Sequence, residues 1–220
     1  MIYDITPFSI IDYPDYLSCI VWLSGCNLRC KYCYNEEIIK STKANISFSE
    51  YKNFLKSRIS LLDGVVFSGG ECTKSPNLLK YLSLAKELNF KCKIDSNGSN
   101  PKVIKSILDN NLADYFAIDF KAPKEKLYEL TGLDYFDEFK QTLDLLNNSG
   151  VEFEIRTTWH YDLLSVSDIL NMHEFLRKSG YKNKYYLQKF QDYKNLANLK
   201  QSLQLIDLSI FNDEFVLRNF

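Results

Sequence analysis

Short apolar runs rich in β-branched and aromatic residues alternate with segments whose apolar residues recur every three or four positions. Ser18–Leu23 (SCIVWL) predicts a buried strand, and the same reading gives strands at 64–68 (GVVFS), 90–94, 115–120, 151–157, 184–190 and a short closing strand at 214–218. Helices are predicted at 49–60 with Ser47 or Ser49 as cap, and at 77–88 on the spacing of Leu78, Leu79, Leu82, Leu84 and Leu88. Pro101 at the first helical position opens 102–110. Further helices follow at 136–148, stopped by Ser149-Gly150, at 167–179, capped by Ser165 or Ser167 and stopped by Gly180, and at 196–207.

Strand then helix, repeated about six times, predicts parallel strands with right-handed crossovers. A complete eightfold barrel takes about 250 residues. The 220 residues here fit an α/β partial TIM barrel of about (β/α)6, with parallel strands, open on one side, as a single domain over 1–220. Sites in such folds form at the C-terminal strand ends. The polar clusters fall there: a cysteine loop after 18–23, SGGE (68–71), DSNG (95–98), DFK (119–121) and RTTWH (156–160).

Charge narrows the function classes. With 27 Lys and Arg against 28 Asp and Glu, the net charge of −1 creates no global field for nucleic acid or lipid. Residues 177–200 are locally basic, with Arg177, Lys178, Lys182, Lys184, Lys189, Lys194 and Lys200 against Asp192, which suits a solvated surface or a docking face. No apolar run approaches the ~18 residues of a membrane span, and MIYDITPFSIIDYP lacks the plan of a signal peptide. The expectation is a soluble cytoplasmic protein that binds neither nucleic acid nor membrane. Six cysteines in a reducing compartment suggest metal or redox chemistry.

Three of the six, Cys26, Cys30 and Cys33, stand in C-x3-C-x2-C spacing. Structural zinc normally takes four ligands, and the chain holds only His160 and His173 to complete such a set. A [4Fe-4S] cluster on three thiolates keeps one iron open to a substrate or cofactor. With an aromatic residue before the third cysteine, CNLRCKYC (26–33) resembles the radical SAM superfamily. That resemblance implies one [4Fe-4S] cluster on Cys26, Cys30 and Cys33, with S-adenosylmethionine on the open iron and Tyr32 near its adenine. It implies that Ser68, Gly69, Gly70 and Glu71 bind the amino end of the cofactor. Asp95 and Asn97, with Asp119 and Lys121, would lie near its carboxylate, and the two aspartates would help hold a monovalent cation. Arg156 would lie near the ribose or sulfonium. No side chain is expected to act as acid or base, because the cofactors carry the hard step.

Over nearly the whole chain, SIIDYP (9–14), SGGE, DSNGSNP (95–101), AIDFKAP (117–123), RTTWH and YLQKF (186–190) resemble the anaerobic ribonucleoside-triphosphate reductase activating proteins. The implied activity is reductive cleavage of S-adenosylmethionine and generation of a glycyl radical on a partner reductase, fed by a low-potential donor such as flavodoxin or ferredoxin. The alternatives are activation of another glycyl-radical enzyme such as pyruvate formate-lyase, a radical reaction on a small molecule of the 7-carboxy-7-deazaguanine synthase kind, and a non-catalytic zinc-stabilised module. Two departures stand out: Cys72 where relatives often have proline, and Tyr34-Asn35-Glu36 where they often read His-Asn-Pro. Cys72 is either a passive buried thiol or an alternative iron ligand, and His160 either packs a loop or acts in the site.

Overall fold

A computed structural model describes all residues, 1–220. The strands follow one another in sequence order in an open eight-stranded sheet. The chain divides into two compact units, one of Met1–Asn27, Glu37–Ser96 and Lys102–Ala117, the other of Leu28–Glu36, Asn97–Pro101 and Ile118–Phe220.

In the first unit β1 (Ile2–Ser9) runs antiparallel to β2 (Ser18–Leu23). β2 pairs in parallel with β3 (Gly64–Gly69), from Ser18 opposite Gly64 to Leu23 opposite Gly69, and β3 with β4 (Lys91–Ser96). The apolar runs are buried as their composition requires: Val21, Val65, Val66, Phe67 and Ile94 are inaccessible. The short helix α1 (Glu36–Lys40) precedes α2 (Phe48–Lys56), which starts at a capping box between Ser47 and Glu50. α3 (Leu78–Glu87) and α4 (Pro101–Asp109) follow, and α4 opens on its proline as expected.

β5 (Tyr115–Asp119) leads into α5 (Lys124–Thr131) and α6 (Phe136–Asn147). In the second unit β6 (Glu152–Trp159) pairs in parallel with β7 (Tyr185–Lys189), and β7 with β8 (Phe215–Arg218). Ser165 caps α7 (Val166–Lys178) through a reciprocal bond pair with Asp168. Phe120 and Phe139 stack at 4.5 Å in this unit's core. A buried Glu154 takes Arg218 from β8 in a two-pronged ion pair of 3.1 and 3.0 Å.

Three elements escaped the sequence pattern. β1 is an edge strand with Pro7 in it and a broken alternation of buried and open positions. α1 is five residues long with only Ile39 buried. α5 presents few apolar positions and ends where Gly132 turns left-handed at φ 77°. One expected helix, 196–207, does not form. Asn195 bonds Leu199 through both ends of its amide, Asn198 has φ 53°, and Ser202 and Gln204 bond the Asp162 carboxylate. Leu203 and Leu205 are 96% and 99% exposed, so the apolar spacing there meets no surface to cover.

Candidate cofactor site

The loop after β2 begins in the first unit. The Gly25 N–H donates to Ile38 O at 2.9 Å, and the Gly25 carbonyl accepts from Glu71 N–H at 2.9 Å. Gly70 N–H donates to Leu23 O at 3.0 Å. These bonds draw the SGGE turn against the end of β2. A methyl on Gly69 would run into the Leu23 backbone, at 2.9 Å from its carbonyl carbon. One on Gly70 would meet the Gly25 carbonyl, at 2.6 Å from the carbon and 3.1 Å from Cys26 Cβ. Close approach of the chain's own backbone therefore requires both glycines. Ser68, half-buried, lies opposite Trp22, one pair before the end of the β2–β3 register.

Glu71 is buried, and its Oε1 accepts from Thr73 N (3.1 Å), Thr73 Oγ1 (2.6 Å) and Ser96 Oγ (2.7 Å). Asp95 receives the nearly inaccessible Lys93 ammonium at 2.5 Å. Cys72 is fully buried, its thiol donating to Asp95 O at 3.3 Å, and burial pushes its pKa well up. Burial likewise pushes Cys19 up to about 12 and raises Cys92.

The second unit holds the rest of the loop. Arg29 N–H and Lys31 N–H donate to Thr131 O (2.7 Å) and Leu130 O (3.0 Å) at the end of α5. Leu196 N–H and Ala197 N–H close on Cys33 O and Lys31 O, both at 3.0 Å, and Cys33 N–H donates to Cys30 O at 3.0 Å. Cys30 is buried and Cys33 half-buried, as is Cys26 in the first unit. None of the six cysteines is in a disulfide.

Tyr32 is buried; its hydroxyl donates to Lys121 O at 3.3 Å, and the Lys121 ammonium lies 5.9 Å from its ring centre. Asp119 takes Lys121 Nζ at 2.8 Å on one oxygen and Arg156 Nε at 2.6 Å on the other. Burial alone would raise the Asp119 pKa, but the Arg156 guanidinium and the Lys121 ammonium outweigh it and hold the carboxyl well below the usual range. Burial opposes the charge on Lys121 as well, and Asp119 with Cys30 overcomes it, so its pKa is raised. Asn97 Oδ1 accepts from Ser99 N at 2.9 Å, a turn of the asparagine type, and Thr142 bonds Gly98 O at 2.7 Å.

The candidate residues thus fall into two groups. Glu71 and Asp95 are tied into the first unit's network; Tyr32, Asp119, Lys121 and Arg156 form one connected network in the second with Cys30 beside it. Lys93 and Tyr135 were missed by sequence reasoning: Lys93 sits two positions before Asp95, a strand spacing that could have revealed it, whereas Tyr135 carried no signal. The His160 ring lies against Phe190, with ring centres 4.7 Å apart. Its Nδ1 accepts from Asp162 N–H at 3.2 Å, so Nε2 carries the proton and donates to Lys200 O at 2.8 Å. In the basic stretch, Arg177, Lys178 and Lys200 pair with Glu214, Glu174 and Asp192.

Chemically the loop offers three thiols with no bridge between them, and Cys30 lies within electrostatic reach of the Lys121 ammonium. No three His, Cys, Asp or Glu side chains converge as ligands of one metal ion. Three thiols without a fourth Cys or His beside them in the loop are the donor set of a [4Fe-4S] cluster with one iron left open, whereas structural zinc takes four ligands.

The family model "Radical SAM superfamily" matches residues 20–176. A protein of Methanocaldococcus jannaschii that carries the provisional name glycyl-radical enzyme activating enzyme is 33% identical over 171 residues, 75% of this chain and 70% of that protein. The pyruvate formate-lyase-activating enzyme of Clostridium pasteurianum is 31% identical over 173 residues, 70% of this chain and 66% of that one. Among solved structures, Streptococcus suis SuiB bound to S-adenosylmethionine superposes with a TM-score of 0.73 at 16% identity, over 91% of this chain and 50% of that one. Native anSMEcpe with bound AdoMet gives 0.63 at 19% identity, over 77% of this chain and 50% of that one. The chain spans about half the length of these two structures, and the likeness to them is one of fold.

Proposed function

Since the chain belongs to the radical SAM superfamily, we propose that residues 1–220 act as one radical SAM domain that activates a glycyl-radical enzyme, with an anaerobic ribonucleoside-triphosphate reductase as the partner. The observation that carries this reading is the cysteine loop, three thiols without a disulfide on a backbone pinned by at least six main-chain hydrogen bonds. Cys26, Cys30 and Cys33 would hold the cluster. When bound, the cluster and S-adenosylmethionine supply one-electron cleavage of the C5′–S bond and removal of a glycine Cα hydrogen from the partner.

The chain's own residues bind and orient. Tyr32 offers an apolar face on a fixed ring. Lys121 holds a positive charge that Asp119 only partly offsets, because Asp119 also carries Arg156; the pair plus Arg156 has a net charge of +1, suited to a carboxylate. Ser68, Gly69, Gly70 and Glu71 would take the cofactor's amino end, since a carboxylate and backbone carbonyls accept hydrogen bonds from an ammonium. Asn97 would contribute through its amide. A monovalent cation at Asp95 and Asp119 would compete with Lys93, Lys121 and Arg156, so in this reading the fixed cations take its place. The reaction belongs in the cytoplasm, with a flavodoxin- or ferredoxin-class donor.

The test is anaerobic reconstitution with iron and sulfide, followed by S-adenosylmethionine, a reductant and either reductase or pyruvate formate-lyase. The expected result is an iron–sulfur absorption near 400 nm and a glycyl EPR doublet with the reductase. A doublet only with pyruvate formate-lyase would reassign the partner, as the Clostridium pasteurianum relative's name would suggest. A colourless protein that takes up zinc alone would refute the reading.

A further inference from the structure

A cavity of about 480 Å³ opens in the second unit beside the first turn of α5, against α6 and α7. Small-ligand sites commonly span ~300–1,000 Å³. Buried Phe120 and Met172 line it from below, and the rings of Phe136 and Phe175 stand half-buried beside them. The Phe136 and Phe175 ring centres are 5.1 Å apart, and they lie 6.4 and 5.7 Å from that of Phe120. Rings so placed offer faces and edges to a further aromatic ring.

The rim is charged. The Lys126 ammonium is already engaged, by Asp168 at 2.6 Å and by Leu163 O at 3.4 Å, and Asp168 also serves the capping box of α7. Lys124 and Glu125, exposed neighbours on α5, line the same cavity and form no ion pair within the chain. The Lys124 ammonium stands 5.8 Å from the centre of the Phe136 ring, on the aromatic side of the space. Two lysines against one glutamate and one aspartate leave this rim without net charge. A simple anion would be repelled by Glu125, and a simple cation by Lys124 and Lys126. An apolar guest would answer neither open charge. A guest that carries both signs beside an aromatic ring answers both.

We propose that this cavity binds a free aromatic α-amino acid. Its ring rests on Phe136 and Phe175, its carboxylate pairs with Lys124 and its ammonium with Glu125. The proposal does not depend on the reading of the cysteine loop, and the site needs no cluster.

The test is a ligand-observed NMR titration of the full chain in mildly acidic buffer, with L-phenylalanine as the probe. Three blocked forms accompany it: N-acetylphenylalanine without the ammonium, phenylalaninamide without the carboxylate, and N-acetylphenylalaninamide without either, which stands for a residue inside a partner's chain. Phenylalanine should bind saturably, each singly blocked form about two- to fivefold more weakly, and the doubly blocked form most weakly, the scale of exposed ion pairs. Lys124→Gln should weaken phenylalanine and leave phenylalaninamide unchanged. Glu125→Gln should weaken phenylalanine and leave N-acetylphenylalanine unchanged. Asn171→Trp, at an exposed α7 position that lines the cavity, should fill it and abolish binding while thermal melting shows an intact fold; the two charge variants carry the test if that chain fails to fold. No saturable signal up to the solubility limit of phenylalanine would overturn the proposal, as would wild-type binding by folded Asn171→Trp, which would put the guest elsewhere. N-acetylphenylalaninamide binding as tightly as phenylalanine would also overturn it, by making the cavity a seat for a partner's side chain.

Discussion

Gly70→Ala tests how the cysteine loop is held. The added methyl would overlap the Gly25 carbonyl oxygen, with the carbonyl carbon at 2.6 Å and Cys26 Cβ at 3.1 Å. Carbon atoms prefer about 3.5–4.0 Å, so the Gly25–Cys26 backbone must retreat by about 1 Å. That movement strains packing by about 1–3 kcal/mol. It also loosens the Glu71 N–H to Gly25 O bond of 2.9 Å, worth about 1 kcal/mol. The sum, about 2–4 kcal/mol, corresponds to a melting temperature lowered by roughly 4–16 °C for a chain of this size. The displaced residue is Cys26 itself, so iron and sulfide content after reconstitution should fall further than stability does. Gly150→Ala is the control: it has a left-handed φ of 75° but nothing within 4 Å of the new methyl, so it should cost only the backbone penalty of about 1–2 kcal/mol and leave iron content intact. If Gly70→Ala melted like wild type and loaded iron fully, the close-approach argument would be wrong.

Asp119→Asn leaves Lys121 and Arg156 without their shared carboxylate and should cost about 3 kcal/mol by urea unfolding. The Asp119 carboxyl is held low in the fold, so its stabilisation is complete above its ordinary value of about 3.9 and drains away as pH falls below that; the variant's acid-unfolding curve should lack this component. Lys93→Ala uncovers Asp95, and S-adenosylmethionine binding, followed by equilibrium dialysis, should become dependent on potassium, whereas wild type should bind equally in potassium and in a bulky organic cation. Glu71→Ala removes the buried carboxylate that accepts from Thr73 and Ser96 and should lower stability by about 1–3 kcal/mol and abolish measurable cofactor binding, while Glu71→Gln should recover most of the stability and little of the binding.

The sequence by itself determined the order of strands and helices in most of the chain, because apolar runs and capping serines act locally: Ser47 and Ser165 start α2 and α7 where their side chains can reach the third backbone N–H. It also marked the strand ends that carry the candidate residues, since polar clusters after buried strands need no tertiary information to be noticed. What it could not decide depended on surfaces meeting. The 196–207 segment has helical spacing yet stays irregular, because no surface covers Leu203 and Leu205 and polar side chains hold its ends. α5, too weakly patterned to see, supplies the carbonyls that pin the cysteine loop. The pairing of Lys93 with Asp95, the sharing of Asp119 between Lys121 and Arg156, and the stranded hydroxyl of Tyr135 exist only once distant segments are packed. Local propensity is written residue by residue; which charge meets which, and which polar atom is left waiting, is fixed by burial, and burial belongs to the fold.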